Sequence, residues 1–134
     1  MSYRGEFCAV TKEAVADLRS HKYKVVELDS NGKVGLSALD KGYGILQNVP
    51  NSGEAAAVVN WGTTQAIAAV AVSIGDKLKV QSGGWLTPVA SGAAHTGTFM
   101  LMGRAMTSAV SGSIFTVELE RQLLVNVLSG AAIA

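Results

Sequence analysis

The chain has 134 residues, of which 49% are hydrophobic and only 16% charged, and its formal net charge is +1. This length fits one domain. The small number of charged residues excludes a disordered polypeptide, and the lack of a charged heptad pattern excludes a coiled coil. A net charge so close to zero gives no reason to expect nucleic-acid binding. The single cysteine excludes an internal disulfide and a cysteine-based zinc site.

The first 20 residues are expected to form an N-terminal arm. Residues 1–10 show no hydrophobic periodicity and no apolar run typical of a signal peptide, so we expect synthesis in the cytoplasm. Residues 11–20 favour a helix of one or two turns at most, because Thr11 can cap its start and Arg19 lies near its end. The side chains of residues 1–10 best suited to a contact are Tyr3, Arg4 and Phe7.

Short apolar or alternating runs separated by turn residues follow up to residue 120. The clearest is a hairpin, in which Asn31 and Gly32 stand between the runs 23–28 and 33–36. A bend or bulge is expected at Trp61-Gly62. The other predicted strands are residues 44–47, 55–60, 62–72, 77–80, 85–89, 99–107 and 113–120. This pattern predicts an all-β fold, a single compact antiparallel β-barrel or β-sandwich domain of short strands over residues 21–120.

Charged residues are absent from three long stretches, residues 55–75, 80–103 and 105–117. The first two are long enough for a membrane-spanning helix. They contain polar residues, glycines and a proline, however, so we expect strands and turns and no membrane contact. A small domain normally covers its surface with charge. We therefore favour a surface that is partly covered by other chains, with a surface rich in Ser, Thr, Asn and Gly as the alternative.

Residues 121–134 form a third segment, which is apolar and carries no charge after Arg121. An apolar segment left in water would promote aggregation. It is therefore either the last core strand or a segment that docks on a neighbouring subunit, and the sequence leaves both open. The residues expected to make such a contact are Leu123, Leu124 and Val127.

Signals for catalysis and for cofactor binding are weak. The two histidines, His21 and His95, are far apart in the sequence, and no nucleophile or metal-ligand spacing accompanies them. Phosphate-binding glycine motifs are absent. We therefore predict that the chain is not an enzyme and has no catalytic residue, metal site or cofactor. Trp61 and Trp85 are expected in the core or at an interface.

Several motifs occur in a characteristic order. Residues 23–34, YKVVELDSNGKV, are followed by residues 44–54, GILQNVPNSGE. The second run is the more specific and has the pattern G-[IV]-L-Q-N-x-P-x-x-G-E. Gly62, residues 74–78, residues 103–105 and a late Val-Glu-Leu continue the order. Over about residues 20–120 the sequence resembles the small capsid cement, or head-decoration, proteins of tailed bacteriophages.

This resemblance implies a β-rich, non-enzymatic virion protein that forms trimers on the outer surface of the expanded icosahedral head. It implies binding to neighbouring major capsid protein subunits and stabilisation of the shell against the pressure of packaged DNA. We expect the N-terminal arm to contact the capsid and the C-terminal segment to contact a sister subunit. The predicted interface residues are Tyr3, Arg4, Phe7, Trp61, Trp85, Leu123, Leu124 and Val127.

Two other functions fit the same residues. A tail or fibre component of a phage would have the same composition. A small β-barrel ligand-binding protein or hydrolase would need a site around His95. The substitution His95→Ala would abolish such an activity but would leave the assembly of a structural protein unaffected.

Overall fold

The structure is a computed structural model that describes residues 7–38, 42–89 and 99–124. Within these ranges the chain forms nine β-strands, paired antiparallel, and no helix. The prediction of an antiparallel all-β domain is therefore confirmed. The strands are β1 (Phe7–Glu13), β2 (Val25–Leu28), β3 (Val34–Leu36), β4 (Gly44–Leu46), β5 (Ala55–Ile67), β6 (Lys77–Gln81), β7 (Trp85–Pro88), β8 (Phe99–Ala105) and β9 (Ile114–Leu124).

The strands form one curled sheet. Eight of them follow one another in the order β3-β2-β4-β5-β9-β8-β6-β7, and β1 also pairs with β5. Isolated bridges join Ala14 to Val34 and Ala68 to Leu86. These bridges bring the two ends of the strand order, β3 and β7, back to the residues that follow β1 and β5. The inner face of the curl holds the core.

β5 connects the two parts of the sheet. Its first part pairs with β1 and β4, and its second part pairs with β9. The predicted interruption at Trp61 and Gly62 is a bulge within one strand: the register with β1 shifts between Cys8 and Ala9, and Asn60 has no counterpart there. Gly62 lies at φ 94°, a conformation that glycine adopts without a steric cost.

The short helix expected over residues 11–20 is absent. Residues 11–13 belong to β1 and pair with residues 55–57 of β5. Further on, the backbone N–H groups of Val15 and Leu18 donate to the carbonyls of Val34 and Pro50. The Asp17 carboxylate accepts three hydrogen bonds from Arg19, so this segment bonds to other parts of the chain and to a nearby side chain and not as a helix. A helix of this length is marginal in water on its own, and the ladder to β5 determines the conformation of its first residues.

The predicted hairpin joins β2 and β3. The Asp29 carbonyl accepts a hydrogen bond from the backbone N–H of Gly32 at 3.1 Å. The Asp29 carboxylate accepts from the backbone N–H groups of Asn31 at 2.8 Å and Lys33 at 2.9 Å. Of the two residues Asn31 and Gly32, only Gly32 has a positive φ, 76°. This arrangement is a type I turn followed by a bulged glycine.

The core consists of two clusters of buried apolar side chains. In β6, Leu78 and Val80 are buried in the larger cluster, while Lys77 and Lys79 lie on the outer side, as their alternation predicts. The larger cluster also includes Ile45, Val59, Met102, Phe115, Val117 and Leu119. The smaller cluster includes Ala14, Leu18, Val26, Val34, Leu46 and Val58.

Candidate interaction surface

The structure separates the residues that the sequence placed at an interface. Phe7 begins β1 and pairs with Gly62, so it lies beside Trp61, whose residue surface is 50% exposed. Leu123 and Leu124 end β9, where they pair with residues of β8. The remaining residues singled out in the sequence, Tyr3, Arg4, His95 and Val127, lie outside the described residues.

Trp85 has a partner within the chain. It lies half-buried on β7, three strands from β9 in the sheet order. The ammonium nitrogen of Lys24 lies 4.3 Å from the centre of the Trp85 ring, a cation–π contact. The two tryptophans therefore differ: the Trp85 ring is covered on one side by Lys24, whereas Trp61 presents half of its surface to solvent.

In the described part of the chain, the largest group of exposed apolar side chains lies in two connections between strands and at the first residue of β9. We call residues 68–75, which follow β5, and residues 106–114, which follow β8, the uncharged loop end, because they contain no charged residue. Of the nine large hydrophobic residues that are exposed in the described part of the chain, five lie there. They are Val70, Ile74, Met106, Val110 and Ile114.

Hydrogen bonds between the two segments hold the uncharged loop end together. Val72 and Ala109 exchange two backbone hydrogen bonds, at 2.9 and 3.1 Å. The Ser111 hydroxyl donates to the Ala69 carbonyl at 2.9 Å. Because these loops bond to each other, their apolar side chains project from an ordered backbone. A surface that is formed in advance loses less conformational entropy when it binds.

The strands next to this end carry charged side chains. Lys77 of β6 stands opposite Arg104 of β8, and Arg104 stands opposite Glu118 of β9. Glu120 follows on β9 and lines the same open groove of about 240 Å³. We call these four residues the charged stripe. The groove is smaller than the roughly 300–1,000 Å³ that is usual for small-molecule sites.

A wider depression of about 450 Å³ lies over Cys8, Asn60, Trp61 and Glu120. The Cys8 thiol is free and exposed. Within the described ranges, no group of three or more His, Cys, Asp or Glu side chains could hold a metal ion. The part of the chain that the structure describes also has no helix long and apolar enough to cross a membrane.

Sequence reasoning missed the uncharged loop end, although two signals for it are present. The uncharged stretches 55–75 and 105–117 contain both of its segments. Ile74 and Val110 also occupy turn sequences, where Gly, Pro, Asn, Asp and Ser are usual, and they are 71% and 68% exposed. The sequence does not show that the two segments pair with each other.

Asp17 and His21, which lie between β1 and β2, have lowered pKa values. The side chain of Arg19 hydrogen-bonds to Asp17 and lowers the pKa of that carboxyl from 3.8 to about 2. Burial lowers the pKa of His21, and the Lys24 ammonium, 3.1 Å from the His21 Nδ1 atom, lowers it further. Neither group belongs to the uncharged loop end or to the charged stripe.

A comparison with solved structures supports the fold. No family model matches the sequence, and no curated protein matches it. Among solved structures, this chain is similar to the head fiber gp8.5 N base of bacteriophage phi29. The TM-score is 0.64 and the sequence identity 16%, over 86% of this chain and 95% of that chain. The two chains therefore share a fold.

Proposed function

We propose that this chain is a non-enzymatic structural protein of a bacteriophage particle. The observation that carries the proposal is the likeness to the phi29 head fiber base, which covers 86% of this chain. The resemblance of about residues 20–120 to capsid cement proteins supports it from the sequence. The exposed apolar side chains of the uncharged loop end support a role in assembly, because such groups on small domains mark protein contacts.

On the particle, the protein binds the outer surface of the expanded icosahedral head as a homotrimer and contacts neighbouring major capsid protein subunits. A protein that binds only the expanded shell stabilises that state by mass action. Many modest contacts on one shell add up, because the sites are linked. The part of the N-terminal arm that precedes β1, with Tyr3 and Arg4, contacts the capsid, and the C-terminal segment contacts a sister subunit. This function requires no cofactor, nucleic acid or membrane.

A second candidate follows from the same structural likeness. The phi29 protein is the base of a head fiber, and this chain would then attach a fibre to a head without strengthening the shell. Both candidates require binding to the head. They differ in the effect of binding on the shell, which is measurable.

A pelleting assay with the heads of the matching phage, in unexpanded and expanded forms, tests the proposal. We expect saturable binding to expanded heads only, and a higher temperature of head disruption when the protein is bound. Binding without a gain in heat resistance would favour the fibre base. Absence of binding to both forms would overturn the proposal.

The arm contact has a test of its own. Because β1 begins at Phe7, deletion of residues 1–10 would remove part of a strand, so we choose the double substitution Tyr3→Ala/Arg4→Ala. We expect binding to expanded heads to weaken roughly tenfold and thermal unfolding to stay unchanged. The matched control is Val49→Ser, at a turn residue that is 53% exposed and lies outside the arm. Unchanged head binding by the arm variant would contradict the assignment.

A further inference from the structure

The uncharged loop end has the properties of a surface that is covered in the assembled protein. Ile74 and Val110 are the two most exposed large hydrophobic residues in the described part of the chain, at 71% and 68%. Both lie in turns, and turns that face water in a free monomer usually carry polar side chains. Hydrogen bonds between the two segments hold these side chains in position.

The chemistry of this surface restricts its occupant. The uncharged loop end carries no charged side chain. A charged partner segment would lose its hydration there without gaining a counter-charge, which is unfavourable. The occupant is therefore an uncharged, apolar segment. The sequence contains such a segment outside the described residues: residues 125–134, VNVLSGAAIA, have no charged side chain, and seven of the ten are Val, Leu, Ile or Ala.

The direction of β9 indicates which copy of the chain can supply that segment. Ile114, the first residue of β9, belongs to the uncharged loop end, and Leu124, the last, lies at the other end of the strand. Ten steps along a strand cover about 33 Å. Residues 125–134 span at most about 36 Å when fully extended. To return to the loop end of its own chain, the segment would have to run back along the whole length of β9. Almost all of its residues would be needed to span that distance, and few would remain to dock.

We propose that residues 125–134 of one copy dock on the uncharged loop end of a second copy. The two contact surfaces are different, so the interface is heterologous and each copy both donates a segment and accepts one. Three such contacts close the homotrimer of the proposed function, and the inference rests on that self-association. The uncharged loop end is then the surface that receives the C-terminal segment, and Val127 belongs to that segment.

Two double variants of the full chain test this arrangement. Ile74→Asp/Val110→Asp alters the accepting surface, and Val127→Asp/Leu128→Asp alters the donated segment. Each places charge in an apolar contact, so we expect self-association, measured by sedimentation equilibrium, to weaken roughly a hundredfold or more in each. Circular dichroism and thermal unfolding show whether the variants keep the fold. Val49→Asp, at an exposed turn residue outside the uncharged loop end, is the control and should assemble as the unaltered chain does.

Mixing the two variants gives the sharper result. The first variant keeps an intact C-terminal segment and the second keeps an intact loop end, so one good contact forms between them. We expect one-to-one complexes of the two variants and nothing larger. A mixture that stays monomeric, a folded loop-end variant that assembles normally, or an unaltered chain that is monomeric would each overturn the proposal.

The same variants separate this inference from the proposed function. If the variants complement each other but the unaltered protein does not pellet with heads, the proposed function fails and the inference holds. If the unaltered protein pellets with expanded heads but the variants do not complement each other, the inference fails and the proposed function holds. A loop-end variant that assembles but no longer pellets would show that the head, and not a second copy, covers this surface.

Discussion

The uncharged loop end and the charged stripe adjoin each other on the same sheet and differ in chemistry. The charged stripe places Lys77, Arg104, Glu118 and Glu120 on strands, while the loops that continue those strands carry exposed Val, Ile and Met side chains. Loops of a small domain are usually its polar part. The reversal is consistent with our proposal that the strands of this region face water and that its loops face another apolar surface.

The largest expected effect on stability comes from substitution of two glycines, one on a strand of the charged stripe and one in the uncharged loop end. A Cβ atom on Gly103 of β8 would collide with the backbone of Glu118 on the neighbouring strand, which cannot move without breaking the ladder. A Cβ atom on Gly112, in the uncharged loop end, meets nothing within 4 Å, and only its φ of 81° opposes a side chain. We expect Gly103→Ala to cost roughly 3 kcal/mol of unfolding free energy and Gly112→Ala about 1 kcal/mol.

Chemical denaturation of both variants measures the difference. A larger loss for Gly112→Ala than for Gly103→Ala would mean that the loop end, and not the strand under the charged stripe, is the tightly constrained region. Head binding and self-association should be measured only at temperatures where both variants are folded.

A smaller effect concerns salt. If the uncharged loop end makes the contact between copies, an increase in NaCl from about 0.05 to 0.5 M should change the dissociation constant of self-association less than roughly threefold, because salt screens only charged groups. The double substitution Lys77→Ser/Arg104→Ser should likewise leave self-association nearly unchanged. Sedimentation equilibrium at the two salt concentrations measures this. A tenfold weakening would show that the charged stripe makes the contact.

The smallest effect is a pH dependence that lies outside both regions. The pKa of His21 is lower in the folded chain than its ordinary value of 6.5, so the unfolded chain binds more protons near that pH. Stability should therefore be fully present above pH 6.5 and decrease as the pH falls below it. Thermal unfolding at several pH values should show this decrease in the unaltered chain and less of it in His21→Gln.

Protonation of the Asp17 carboxyl lowers stability in a separate, more acidic pH range. Its pKa is about 2 in the folded chain and 3.8 ordinarily, so its contribution is present above about pH 4 and is lost as the pH falls towards 2. The decrease that His21 causes begins at a higher pH, near 6.5. An equal decrease between pH 8 and pH 5 in His21→Gln and in the unaltered chain would show that another group is responsible.

Much of the fold could be predicted from local patterns. The β2–β3 hairpin follows from Asn31 and Gly32, and the alternation of β6 follows from Lys77 to Val80, because both depend on residues close in the sequence. The conformation of residues 11–13 could not be predicted in this way. Their helix signals are local, but the partner that makes them a strand, residues 55–57, lies more than 40 positions away.

For the candidate surface, too, some features could be predicted from the local sequence and others could not. Tyr3, Arg4 and Val127 lie outside the described residues, so their predicted contacts stay predictions, as does the absence of enzymatic activity. A position of Trp85 in the core or at an interface was predicted from its residue type. Its contact with Lys24 could not be predicted, because it depends on how the β6–β7 hairpin packs on β2. Val70 and Val110 were not predicted as a surface, since each alone is one apolar residue in a loop.

By itself, the sequence determined that the chain is β-rich, that its turns lie at the glycines, and that residues 55–75 and 105–117 carry no charge. These properties depend on single residues and on their nearest neighbours along the chain. Only the tertiary structure decided that β5 connects two cores, that residues 7–13 join it as a strand, and that two uncharged loops meet at one end. Those outcomes depend on hydrogen bonds between residues far apart in sequence, such as Val72 and Ala109, whose pairing no local pattern encodes.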